Sequence, residues 1–181
     1  MRYRGIAVAI VGLCAAATAP AIASDCETGL SPRTPSSEFT ALEGGSVVRH
    51  ETTGLEWKRC VEGRRWAGGT CKGNAKKFLW QEALQHAADQ EKWRLPNINE
   101  LRSIVERCSW EPAINRDVFP VPGLDYDDLQ FFSSTPAHMS EGKGRVINFW
   151  RGQSESIERF DVGPDDPDDY RRPIRLVRTA D

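Results

Sequence analysis

The chain has 181 residues and a formal net charge of −2, an ordinary balance for a soluble domain and one that argues against a general nucleic-acid binder. Its length suits one domain, and all 6 tryptophans lie beyond residue 23, enough large apolar surface for a core. The first residues read as a targeting segment. Arg2 and Arg4 form a basic start, Ile6 to Ala17 is an almost unbroken apolar run, and Ala21-Ile22-Ala23 is an A-x-A cleavage signal. This pattern predicts a signal peptide over residues 1–23 and a mature chain starting near Ser24, periplasmic or secreted. The apolar run is too short for a comfortable bilayer span, so no membrane span is expected after cleavage. Cys14 follows Leu13 and Cys26 follows Asp25, so neither has the small preceding residue of a lipid-anchor site. Losing the leader takes the net charge from −2 to −4 and leaves four of the 5 cysteines. An even count in an exported chain reads as a disulfide framework with three pairings open, and the absence of a CxxC disfavours zinc.

Residues 24–45 are rich in Ser, Pro, Thr and Gly and read as an extended N-terminal arm. Val47 to His50 and Leu55 to Arg59 then flank Glu51-Thr52-Thr53-Gly54, a hairpin signal, with Leu55 and Trp57 inward and Glu56 and Lys58 outward. Trp80, Ala83, Leu84, Ala87 and Ala88 give a first helix one apolar face. Trp93-Arg94-Leu95 reads as a short strand, and Pro96 holds Leu95 extended. Asn97 with Glu100 makes a capping box for a second helix. Leu101, Ile104, Val105 and Cys108 form its apolar stripe over two turns. Pro112, Pro120, Pro122 and Gly123 make residues 109–130 a loop. Strands are expected at Phe131 to Ser134, Arg145 to Trp150, Ser156 to Phe160 and Ile174 to Val177. The order is that of an α+β domain with two helices and an antiparallel sheet.

Trp93-Arg94-Leu95-Pro96-Asn97-Ile98-Asn99-Glu100-Leu101-Arg102-Ser103 resembles a signature of the Lcl C-terminal domain-like family, named after the C-terminal domain of a collagen-like bacterial adhesin. Thr53 to Cys60 (T-G-L-E-W-K-R-C), Trp80 to Leu84, Pro112 to Asn115, Phe119-Pro120, Phe132 to Pro136 and Ile174 to Arg178 match the family in the same order. The resemblance covers roughly residues 46–178. It implies a C-type-lectin-like single domain with its terminal strands paired. It also implies a cysteine pair at Cys60 and Cys71, which brackets a Gly-rich loop from Val61 to Thr70 and leaves Cys26 for Cys108. Family members often carry Thr or Ser where Leu79 stands, a departure expected to cost about 1 kcal/mol at the helix start.

The sequence contains no HExxH, no G-x-S-x-G and no phosphate-binding glycine loop. His50, His86 and His138 form no ligand motif, and Ser133 and Ser134 fall on a strand of the resembled family, which sets aside a triad with His138. Asp125, Asp127 and Asp128, and Asp165, Asp166, Asp168 and Asp169, read as solvated loops. Calcium, were it bound, would be sought first at Asp165 to Asp169. No cofactor and no metal is expected. Charge placement is more telling: residues 58–77 hold seven basic side chains against Glu62 alone. The candidate ligand-binding residues are Arg64, Arg65, Trp66, Lys72, Lys76 and Lys77, facing an anionic glycan or an envelope protein, or simply keeping the loop hydrated. The resemblance implies a non-catalytic exported binding module for a glycan or surface polymer, since the naming adhesin's domain is associated with sulfated glycosaminoglycans. The alternative is a periplasmic protein-interaction partner, such as an inhibitor, immunity or assembly factor. An enzyme is the weakest reading: sulfatase-modifying enzymes share a related fold but are much longer and need an active cysteine pair.

Overall fold

The computed structural model describes residue 26 and residues 29–137, 143–158 and 170–180. The expected leader, His138 and the aspartates at 165–169 lie outside them. The elements run β1 (Phe39–Leu42), β2 (Val47–His50), β3 (Leu55–Lys58), β4 (Arg65–Ala67), β5 (Thr70–Lys72), β6 (Lys77–Phe78), α1 (Trp80–Ala88) and α2 (Ile98–Ser103). Then follow β7 (Gln130–Pro136), β8 (Lys143–Asn148), β9 (Gln153–Glu158), β10 (Arg172–Pro173) and β11 (Val177–Thr179). The class is α+β, with two helices and antiparallel sheets.

The first sheet has the order β1-β2-β3-β11. Its centre is Trp57, fully buried and paired with Val48 on one side and Val177 on the other. The expected hairpin of β2 and β3 forms, but Glu56 is buried rather than outward. Arg49 on the neighbouring strand and Arg178 on β11 both reach its carboxylate, at 2.6 and 2.8 Å. Burial raises the Glu56 pKa, the hydrogen bonds from the two arginines lower it, and the net displacement is downward. The arm also differs from expectation. Residues 39–42 pair with β2 as an edge strand, and residues 33–36 are clipped to the body. The fully buried carboxylate of Glu106 accepts from Arg33 N, Thr34 N and Thr34 Oγ1, each at 2.9 Å. Asn115 donates to Thr34 O at 2.8 Å and to Ser36 Oγ at 3.1 Å.

The second sheet, β7-β8-β9, is covered on both faces at β7 and β8. Side chains alternate across a strand. Phe131 and its partner Ile147 enter a core with Trp57, Leu101, Ile114 and Phe119, while Phe132 and its partner Val146 enter another with Phe78, Trp80, Ala83 and Leu95. Trp80 is anchored by its indole N–H on Ser133 O, 2.7 Å away. Its ring lies so close to Gly144 that a Cβ there would approach to 2.8 Å, so β8 needs glycine at that point. On α1, Trp80, Ala83 and Ala87 are buried as expected. Leu79 has no capping acceptor, and Glu82 instead accepts from the Leu79 N–H at 3.1 Å and pairs with Arg171.

The capping box of α2 is complete: Asn97 Oδ1 accepts from Asn99 N and Glu100 N at 2.9 and 3.0 Å, and Glu100 Oε2 accepts from Asn97 N at 2.8 Å. The helix ends at Ser103, short of the two turns expected. Ile104, Val105 and Cys108 are buried nonetheless, because the chain leaving the helix folds back under the core. Of the strand expected at Ile174 to Val177 only Val177 is in a strand, with one short strand just before that segment and another starting at its end. β10 pairs with β6 and β11 with β3, and between them Arg175 turns inward. Its guanidinium is fully buried, donates to Lys58 O at 2.9 Å and to Arg59 O, and lies over the rings of Phe119 and Phe131. Burial pushes its pKa down to about 9.

Candidate functional site

The expected Gly-rich loop folds as a small hairpin. β4 and β5 pair with Trp66 opposite Cys71, and Gly68 and Gly69 make the two-residue turn at φ +61° and +80°. A Cys60–Cys71 disulfide closes its base, and Cys26 bonds Cys108, the two pairs the resemblance implied. The hairpin forms one wall of a groove of about 360 Å³ whose other parts include Val47 of β2, Lys58 of β3 and Trp93. Arg64, Arg65 and Trp66 line it, together with Lys58, Glu62 and Trp93.

Both tryptophans are half-buried and fixed. The Trp66 ring packs on the Gly45 backbone, where a Cβ would come within 2.7 Å of its Nε1, and carries the Arg59 guanidinium at 4.0 Å. Arg59 is itself held by Val118 O and Asp117 O, each at 2.7 Å. Arg178 and Lys58 lie 4.5 and 5.4 Å from the Trp93 centroid. Lys58 also bonds Glu62 at 2.9 Å, and Glu62 meets His86 Nε2 at 2.8 Å. The acid of the loop is therefore met by Lys58 of β3 and His86 of α1, and His86 is a half-buried structural partner packed on Phe78.

The six candidate residues do not form one patch. Arg64 donates to Pro122 O at 2.6 Å, tying the hairpin to the 109–130 loop. Lys76 lies over the Phe78 ring and Lys77 pairs with Asp128 at 2.5 Å, so both belong to other contacts. Arg65 and Lys72 remain. They are exposed, directly opposite one another in the β4–β5 register, and neither has an ion-pair partner among the described residues. Directly opposed side chains project from the same face, and like charges there repel. Trp93 is read from the sequence only as part of the short strand expected at Trp93 to Leu95, which the structure reduces to a single bridge at Arg94. Its place in the groove depends on the long-range pairing of Arg94 with Val177, which no local pattern encodes.

Other candidate chemistry resolves structurally. Ser133 is fully buried, donates to Arg145 O and accepts from Thr135 N. Asp125 accepts from the Asp128 N–H as a turn residue. Cys26, Glu106 and Cys108 cluster, but the sulfurs are joined and the carboxylate is occupied by N–H and O–H donors, so they are not metal ligands. No helix among the described residues is long and apolar enough to cross a membrane.

Residues 46–175 match the family model of the Lcl C-terminal domain. The match spans well over half of the chain, and the chain belongs to that family. No curated protein matches it, and no solved structure does.

Proposed function

We propose, from its place in this family and the geometry of the groove, that the chain is an exported, non-catalytic module that binds an anionic glycan or other surface polymer. The observation that carries this reading is the uncompensated pair Arg65 and Lys72 beside a groove walled by Trp66 and Trp93. Two like charges held face to face on a covalently closed ribbon destabilise it slightly, and an anion between them would relieve the repulsion. Rigid indoles add flat apolar surface without a large ordering cost on binding. Two disulfides support an oxidising compartment, periplasmic or extracellular. The early hairpin, two helices and a late strand paired back onto β3 support a C-type-lectin-like architecture.

An acidic protein face could also seat on the Arg65–Lys72 ribbon, which keeps a periplasmic protein partner as the second reading. One experiment separates them: a panel of sulfated, carboxylated and neutral glycans, run beside a pull-down from an envelope fraction, with wild type and R65E/K72E. Binding of an anionic glycan that weakens as salt rises and is lost in R65E/K72E supports the first reading. A single captured protein lost in the same variant supports the second. Reversal of the exposed Arg102 on α2, which lines no part of the groove, is the control for a charge change elsewhere on the surface. A ligand held equally by wild type and R65E/K72E would move the site away from this groove.

A further inference from the structure

We infer that a second cleft, formed where the chain leaves α2, binds a carboxylate carried on a small apolar body. The cleft encloses about 240 Å³ between the segment that follows α2 and the Arg151-Gly152 turn, and it shares no lining residue with the tryptophan groove. Its floor is apolar. Val105 and Ala113 are buried there, and Gly152, at φ +68°, comes so close that a Cβ would lie 2.9 Å from Val105 Cγ1 and 3.1 Å from Ala113 Cβ. Trp110 forms a wall with 60% of its surface exposed, the most of any large apolar side chain among the described residues. An indole left in water forgoes a large burial gain, and tryptophans in such positions are concentrated at binding hot spots.

The rim carries the charge. Arg107 and Arg151 both line the cleft and both are exposed. Neither guanidinium has a hydrogen-bond or ion-pair partner among the described residues, and Arg151 only approaches the Tyr126 ring, at 6.0 Å. The one acid in the lining, Glu106, is fully buried and accepts from Arg33 N, Thr34 N, Thr34 Oγ1, Arg107 N and Cys108 N. Its charge is thus met from inside the protein and offers the two guanidinium groups no partner. A guanidinium presents two parallel N–H groups that match the two oxygens of a carboxylate. The volume is smaller than the roughly 300–1,000 Å³ of pockets for drug-sized ligands, so the apolar body is the size of a single side chain. A free organic acid and the carboxyl end of a peptide both carry this chemistry.

The test is an NMR titration of the disulfide-intact chain, following the Trp110 indole N–H, assigned by its loss in W110F. The probes are N-acetyl-leucine, N-acetyl-leucinamide, inorganic phosphate and a short peptide ending in a free leucine carboxylate. N-acetyl-leucine is expected to shift the Trp110 signal saturably and the amide to leave it unmoved. R107Q/R151Q is expected to bind about tenfold more weakly or worse, the loss that follows removal of charge-assisted hydrogen bonds. Its thermal midpoint is expected to stay at the wild-type value, because both side chains are unpartnered. A peptide that binds more tightly than N-acetyl-leucine identifies a chain end as the source, and equal or weaker binding identifies a free acid. The inference is overturned if the amide binds as well as the acid, if phosphate binds as well as N-acetyl-leucine, if R107Q/R151Q retains wild-type affinity, or if no probe gives a saturable shift.

Discussion

Glutamine in place of Glu106 is expected to lower the unfolding free energy by about 3–5 kcal/mol. Glu106 Oε2 accepts from Thr34 N and Thr34 Oγ1, each at 2.9 Å, and Oε1 accepts from Arg33 N, Arg107 N and Cys108 N at 2.9, 2.8 and 3.0 Å. With an amide nitrogen at the Oε2 position, the Thr34 hydroxyl can turn and accept, but the Thr34 N–H loses its acceptor in a buried site. An orphaned buried donor costs roughly 1–3 kcal/mol, and each of the three remaining bonds falls from charge-assisted to neutral strength, about 0.5–1 kcal/mol apiece. The assay is urea unfolding followed by tryptophan fluorescence with disulfides intact, read as a shift in midpoint at constant slope. The pH dependence supplies a second signature. Burial raises the Glu106 pKa, but hydrogen bonds from Arg33, Cys108 and Thr34 more than reverse this and hold it below the ordinary carboxylate value. A group depressed on folding contributes its full stability above the unfolded pKa, about 4.3 for glutamate, and loses it as pH falls through the folded value. The gap between wild type and E106Q should therefore be widest above about pH 5 and close in acid. A loss below about 1 kcal/mol, or parallel pH profiles, would refute the clamp.

Leu101→Ala should destabilise by about 2–5 kcal/mol, whereas Trp93→Ala should cost clearly less, because Leu101 is fully buried and Trp93 half-exposed. Denaturant titrations rank them. Arg64→Ala should lower the thermal midpoint through its lost bond to Pro122 O, while Arg65→Ala, with no partner among the described residues, should leave it within error. Intact mass of the exported protein, with and without alkylation, should give a start near Ser24 and no free thiol.

What could be read from the sequence was mostly local. The Asn97–Glu100 capping box, the β2–β3 hairpin and the apolar face of α1 each join residues close in the chain, from Asn97 and Glu100 in the box to Val47 and Lys58 at the far end of the hairpin. Failures occurred where a distant residue decided the outcome. Glu56 alternates outward by period, yet Arg178 comes from the far end of the chain to accompany it inward. Residues 39–42 lack a strong strand signal and become a strand because β2 offers an open edge. Ile174 to Val177 has the composition of one strand, but Arg175 interrupts it to reach the carbonyls of Lys58 and Arg59. Of the basic-loop candidates, Arg64, Arg65 and Trp66 line one groove and Lys72 lies opposite Arg65, whereas Lys76 lies over Phe78 and Lys77 pairs with Asp128, contacts between elements that the local run of charge does not encode.

The position of β11 bears on how such a chain can be synthesised and folded. Val177 lies between Trp57 of β3 and Arg94, two segments laid down much earlier. Until residues 177–179 are available, β3 has an unfilled edge and Arg94 lacks its bridge to Val177. The nascent chain can form its helices and hairpins locally, but closure joins parts more than eighty residues apart. Pairings of that sequence separation are slow to find. The molecule should consequently stay protease-sensitive during elongation or threading and become resistant only once the segment through Thr179 is free to dock.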